Sequence, residues 1–159
     1  MGRSNPRPSE HFSTADEVFE FFEQFTNFEQ KQKQTIREYR LDRMHRLLSL
    51  FGDPHLSLQV IHIAGSKGKG STALYAAAAL ETLGEKTGLY SSPHVTGYRE
   101  RITFAGHFVP DELLVRSGNS IIAGMGEIEK CGLNGSEKPT TFELLTLLAF
   151  IVFREASCS

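Results

Sequence analysis

The sequence predicts an α/β fold, with helices packed on a parallel β-sheet, and three observations predict it. A short β-branched run, Leu58-Gln59-Val60-Ile61-His62-Ile63-Ala64, reads as a buried strand. It enters at once a glycine-rich turn, Gly65-Ser66-Lys67-Gly68-Lys69-Gly70-Ser71-Thr72, and then an Ala-rich helix over 73–83 that ends at Gly84. Residues 86–90 read as a second strand, leading into Ser91-Ser92-Pro93-His94. Strand, glycine turn, helix and strand together form the βαβ unit of a parallel sheet.

The remaining elements follow in order. Residues 1–13, rich in Pro, Ser and charge, read as a disordered leader. Ser13 or Thr14 caps a first helix, with Asp16 and Glu17 suited to its first turn and Val18, Phe21, Phe22 and Phe25 at helical spacing. The polar, Gln/Lys-rich stretch 28–35 reads as a connector. A second amphipathic helix spans 41–51 on Leu41, Met44, Leu47, Leu48 and Phe51, and Gly52 and Pro54 stop it. Beyond the second strand, a hairpin is expected at Ala105-Gly106, then helices over 111–129 and 141–155.

Composition narrows the function classes. A formal net charge of −2 gives no basic face for nucleic acid, which binds by displacing counterions from phosphates. Two cysteines, Cys131 and Cys158, are too few for a disulfide framework or a zinc site, and point to a reducing, cytoplasmic setting. The first residues lack the apolar run of a signal peptide, and Pro6 stands where a myristoylation motif wants Ser or Thr. The most apolar stretch, 142–153, contains Glu143 and is well short of the roughly twenty residues that span a membrane. No membrane and no nucleic-acid partner is expected.

The chemistry is concentrated in the glycine turn. Such a turn between strand and helix aims backbone N–H groups and a helix N-terminus at one point, which suits polyphosphate. Glycines serve where φ is positive or phosphates approach closely. Lys69 is placed to reach the outer phosphates and Ser71 to put its hydroxyl on Mg²⁺. The spacing is not G-x-x-x-x-G-K-[ST]: the loop is shorter, and Gly70 separates Lys69 from Ser71. A chance cluster of loop glycines is the plain alternative. Kinases, GTPases and ligases share the device, so it does not name a reaction.

Four motifs in one order do narrow the choice. The loop form Gly65-x-x-Gly68-Lys69-Gly70-Ser71-Thr72 resembles that of the folate branch of the Mur ligase superfamily. Gly88-Leu89-Tyr90-Ser91-Ser92-Pro93-His94-Val95 followed by Arg99-Glu100-Arg101-Ile102 is similar to a G-x-Y-[ST]-S-P-H-L…R-E-R-I stretch of the folylpolyglutamate synthase/dihydrofolate synthase family. Thr140-Thr141-Phe142-Glu143 resembles its T-x-F-E segment, and Tyr39-Arg40-Leu41-Asp42-Arg43-Met44 a degraded form of its L-G-L-E-R-[IV] helix start. The family commonly has Thr-Asn at Ser66-Lys67 and Gly at Arg40, so one charge is added beside the phosphates and one folate contact is altered.

The resemblance implies a P-loop-containing, Mur-ligase-type central domain, represented over 14–159 by its first strands and helices. It implies ATP-dependent ligation of L-glutamate to folates through an acyl phosphate, with Mg²⁺, in a monomeric full-length enzyme. ATP would be held by Gly65, Ser66, Lys67, Gly68, Lys69, Gly70, Ser71 and Thr72, with Lys69 stabilising the transferred phosphoryl group. Magnesium would sit on Ser71 and Ser92, and the pterin by Leu41, Thr140, Thr141, Phe142 and Glu143. The family continues into a magnesium-binding glutamate and a C-terminal glutamate-binding domain, so this chain is expected to be a truncated, inactive part.

Plainer readings stand beside these. Ser92 before Pro93 also suits a turn cap, and Thr141 and Glu143 suit a helix start. His94 reads as orienting or pterin-adjacent rather than metal-binding, and His62 as an ordinary strand histidine. Arg99-Glu100-Arg101 fits either a solvated charged run or an ordered loop near folate. A non-catalytic nucleotide-binding fragment and another Mur-type amide ligase are the alternative functions.

Overall fold

The computed structural model describes residues 11–25, 41–133 and 138–158. The expected connector at 28–35, the altered Arg40 position and residues 1–10 of the expected leader lie outside them. Helix α1 (Ala15–Glu23) opens as its sequence requires. Thr14 accepts from the Glu17 amide while the Glu17 carboxylate accepts from the Thr14 amide, a reciprocal cap for two otherwise orphaned donors. The expected leader ends earlier than position 13, because Phe12 is buried and its amide donates to Asn119 Oδ1 at 2.6 Å. An aromatic side chain with a core to enter is drawn out of the polar stretch before it.

Helix α2 (Leu41–Leu50) buries Leu47 and Leu48 and stops at Gly52 (φ +70°) before a 3₁₀ turn, Pro54–Ser57. Helices α3 (Lys69–Thr82), α4 (Asp111–Cys131) and α5 (Thr141–Glu155) complete the helical set. Helix α5 is apolar almost all round, so it takes the centre, with α1, α2, α4 and β1 packed about it. Leu144, Leu145, Leu147, Leu148, Ile151 and Val152 are all buried there, each stabilising the fold by about 2 kcal/mol.

Strands β1 (Gly88–Tyr90), β2 (Ile102–Phe104) and β3 (His107–Phe108) form one sheet in that order, antiparallel throughout. The β2–β3 hairpin turns at Ala105 and Gly106, both at positive φ, as the two-residue turn expected there demands. Gly88 is required at the start of β1, because a Cβ there would meet the Phe153 ring at 2.4 Å.

The parallel βαβ unit expected from 58–64 and 86–90 is not formed among the described residues. Residues 59–64 belong to no strand, and Val60 and Ile61 are each 66% exposed. The expected buried strand is therefore corrected to an exposed lead-in. A β-branched run becomes a strand only when a neighbouring strand takes its backbone groups and a layer covers its side chains, and β1 pairs with β2 instead.

Candidate nucleotide-binding site

The glycine turn leads directly into α3, which begins at Lys69, four residues ahead of the expected start. Gly68 sits at the helix N-cap with φ +74°, a left-handed conformation that a side chain disfavours. No side chain caps this terminus, so the amides of its first turn remain open to a ligand, with the positive end of the helix dipole behind them. The whole loop, 65–72, is exposed. Lys69 Nζ donates to the Gly65 carbonyl at 2.8 Å, which folds the lysine back across the loop's mouth. With Lys67 alongside, the loop carries two cations and an open row of donors, a cradle for anionic oxygens.

The magnesium candidates are hydroxyls on two different elements. Ser71 lies in the first turn of α3, and Ser92 in the exit of β1, the strand that packs against α3. Both are exposed and neither hydroxyl is engaged by the described chain. Neutral oxygens of this kind fit Mg²⁺ as part of a shell that phosphate oxygens and water complete. Among the described residues no group of three or more His, Cys, Asp or Glu side chains could hold a metal by itself.

The pterin candidates divide. Leu41 and Phe142 are exposed, and the Phe142 ring lies 6.4 Å from that of Tyr90. Thr140, Thr141 and Glu143 spend their polar atoms on the chain. Thr140 and Glu143 form the capping box of α5, and the buried Thr141 hydroxyl donates to the Phe22 and Phe25 carbonyls at 2.9 and 3.1 Å. Glu143 also takes a two-pronged ion pair from Arg43, with Nε to Oε1 and Nη2 to Oε2 both 3.0 Å. Arg43 further donates to the carbonyls of Leu133 and Lys138, so one guanidinium ties α2 to the approach of α5.

The charged run 99–101 is an ordered loop rather than a solvated stretch. Arg101 is buried, and its Nε donates to His94 Nδ1 at 2.8 Å. Glu100 accepts from the Val95 and Thr96 amides and from the Thr96 hydroxyl. Arg99 pairs with Asp111. Sequence reasoning offered both readings of this run; the returns that decide between them span 4, 5, 7 and 12 residues and leave no periodic signal. A cleft of about 310 Å³ between α1 and residues 96–100 is lined by Asp16, Glu20, Glu23 and Glu100. Its four carboxylates make it unsuited to phosphate.

No family model matches the chain. A dihydrofolate synthase/folylpolyglutamate synthase of Bacillus subtilis is 31% identical over 72% of the chain. Folylpolyglutamate synthase of Thermotoga maritima superposes on 91% of it with a TM-score of 0.74 and 30% identity. Over most of its length the chain is a relative of the folylpolyglutamate and dihydrofolate synthases. A folylpolyglutamate synthase solved as a complex with AMPPCP and folate superposes on 92% of it, with a TM-score of 0.72 and 28% identity. The α/β, Mur-ligase-type fold class expected from the motifs therefore stands, although the parallel pairing of 58–64 does not. The chain spans 26% of the Bacillus relative and 31–33% of these two solved chains.

Proposed function

We propose that these residues are the nucleotide-binding part of an ATP-dependent ligase that joins L-glutamate to folates, with dihydropteroate as a second acceptor. The observation that carries it is the open, uncapped N-terminus of α3 behind an exposed loop of the folate-ligase form. In this reading a folate carboxylate oxygen attacks the γ-phosphorus of ATP and ADP leaves. The glutamate amine then displaces phosphate from the acyl phosphate, forming the amide. The chain's part is to position and to neutralise charge. The amides of 68–71 receive the phosphates, and Lys69 exchanges its Gly65 carbonyl for a phosphate oxygen. Ser71 and Ser92 offer oxygens to Mg²⁺, and Phe142 and Leu41 offer apolar surface to the pterin. Thr140, Thr141 and Glu143 would then shape the pterin site by holding the start of α5. The full protein is proposed to be a cytoplasmic monomer. No described helix is long and apolar enough to cross a membrane.

Titration of the 159-residue chain with ATP and Mg²⁺ tests the nucleotide assignment. Lys69→Ala should weaken binding at least about tenfold, the loss of one charge-assisted contact. Equal affinity in the two proteins would remove Lys69 from the site. A second reading, nucleotide binding without ligation, is favoured by the donor set, which contains hydroxyls and no carboxylate for the metal. Glutamate-dependent ADP release by the 159-residue chain would eliminate that reading; its absence alongside ATP binding supports it for these residues.

A further inference from the structure

We propose that His94 is a hydrogen-bond donor for an anionic ligand oxygen, and that Arg101 sets it in that role. The identity of the ligand rests on the folate-ligase reading above; the state of the ring does not. Arg101 closes the 3₁₀ turn Tyr98–Arg101 and is 2% exposed, and its Nε–H points at His94 Nδ1, 2.8 Å away. A guanidinium only donates, so Nδ1 must accept, and an accepting ring nitrogen carries no proton. The ring proton therefore belongs to Nε2. That atom has no partner among the described residues, and the ring is only half-buried.

The surroundings hold the ring still. Its centroid lies 4.3 Å from that of Tyr98, and the Arg101 guanidinium carbon lies 5.3 Å from the same Tyr98 centroid. Glu100 fastens the two residues after His94 through their amides, and the Ser91 amide donates to the Arg101 carbonyl at 3.0 Å. A fixed N–H with a guanidinium directly behind it is polarised toward negative charge and needs no reorganisation to meet it. With Nδ1 turned to Arg101, the polar group the ring has left to offer a ligand is its Nε2–H. On the folate-ligase reading two ligands carry anionic oxygens, a folate through its carboxylate and a nucleotide through its phosphates. His94 follows Ser92-Pro93 at the exit of β1, the strand that supports α3 and its loop.

The side-chain amide of glutamine places an N–H near the position of Nε2, whereas phenylalanine keeps the ring shape and removes the donor. The experiment uses the 159-residue chain, His94→Gln and His94→Phe, with folic acid and Mg·ATP titrated separately and an unfolding curve as the control for folding. Long-range ¹⁵N–¹H spectra of the histidine-labelled chain read the tautomer directly. The expected result is an Nε2–H ring, a loss of about tenfold for one of the two ligands in His94→Phe, and recovery in His94→Gln. The ligand that weakens identifies the source of the oxygen. An Nδ1–H or doubly protonated ring overturns the proposal, as does unchanged affinity of a folded His94→Phe for both ligands. If the unsubstituted chain takes up ATP and no folic acid, the folate reading fails while His94 is still decided on ATP. Uptake of neither overturns both.

Discussion

Glu100 shows how much one half-buried side chain can organise. The Thr96 hydroxyl and the Val95 and Thr96 amides all donate to its carboxylate, and together they lower its pKa from the ordinary 4.5 to about 2. The depressed value fixes the sign of the pH dependence. A carboxyl that is more acidic folded than unfolded stabilises the loop above about pH 4.5, and the contribution is lost as pH falls toward 2. The amide resonances of Val95 and Thr96 should therefore hold their positions through pH 4 and shift only near pH 2. A midpoint near 4.5 would show that the carboxylate is not gripped in solution. Arg43 and Glu143 act over a longer range, and nothing in the sequence announces a pair a hundred residues apart. The arginine reads as one polar position of an amphipathic helix and the glutamate as a first-turn residue. Only the folded chain brings them together.

At the scale of elements, close approach decides which glycines can change. A methyl at Gly88 would meet the Phe153 ring, so Gly88→Ala must displace a core aromatic and should destabilise by about 1–3 kcal/mol. Gly126 lies within α4 with nothing within 4 Å of its added Cβ. Gly126→Ala should stabilise by about 0.5–1 kcal/mol, the helix-propensity difference between the two residues. Urea unfolding of both proteins checks the pair, and a Gly88→Ala protein no less stable than the parent would contradict the packing described for β1. The helices were legible in the sequence because their signals are local: Thr14 ahead of Asp16 and Glu17, a threonine ahead of Glu143, and apolar residues three and four apart. The cap of α5 is Thr140 rather than the expected Thr141, whose hydroxyl turns to the Phe22 and Phe25 carbonyls instead. The hairpin was legible at Ala105-Gly106 for the same reason. Residues 58–64 were misread, since β-branching reports a preference, while strand formation depends on a partner elsewhere. The phosphate loop was legible as a motif, but the Lys69–Gly65 contact and the His94–Arg101 pair had to be seen in three dimensions.

Across the molecule, packing is uneven. The helices around α5 enclose a dense apolar centre, while Val60, Ile61, Tyr75, Leu83 and Val95 lie on the surface, the last at 90% exposure. Of the residues of α3 only Ala77 is buried. Apolar surface on this scale promotes association. The 159-residue chain prepared alone should bind a hydrophobic dye and sediment with a mass that rises with concentration, and Val60→Lys with Ile61→Lys should reduce both effects. A dye-silent monomer at every concentration would mean that this surface is covered in solution.

The lead-in to the phosphate loop has a consequence for how tightly a nucleotide can be held. Residues 59–64 make no ladder, so the loop is anchored on one side by a helix and on the other by a tether. Fixing the backbone of each such residue costs about 1–2 kcal/mol of conformational entropy. Whatever fixes that tether, whether a ligand or a neighbouring strand, therefore also sets the loop's grip. With the same lysine and the same amides, this site can be weak or strong according to how firmly the six residues before it are held.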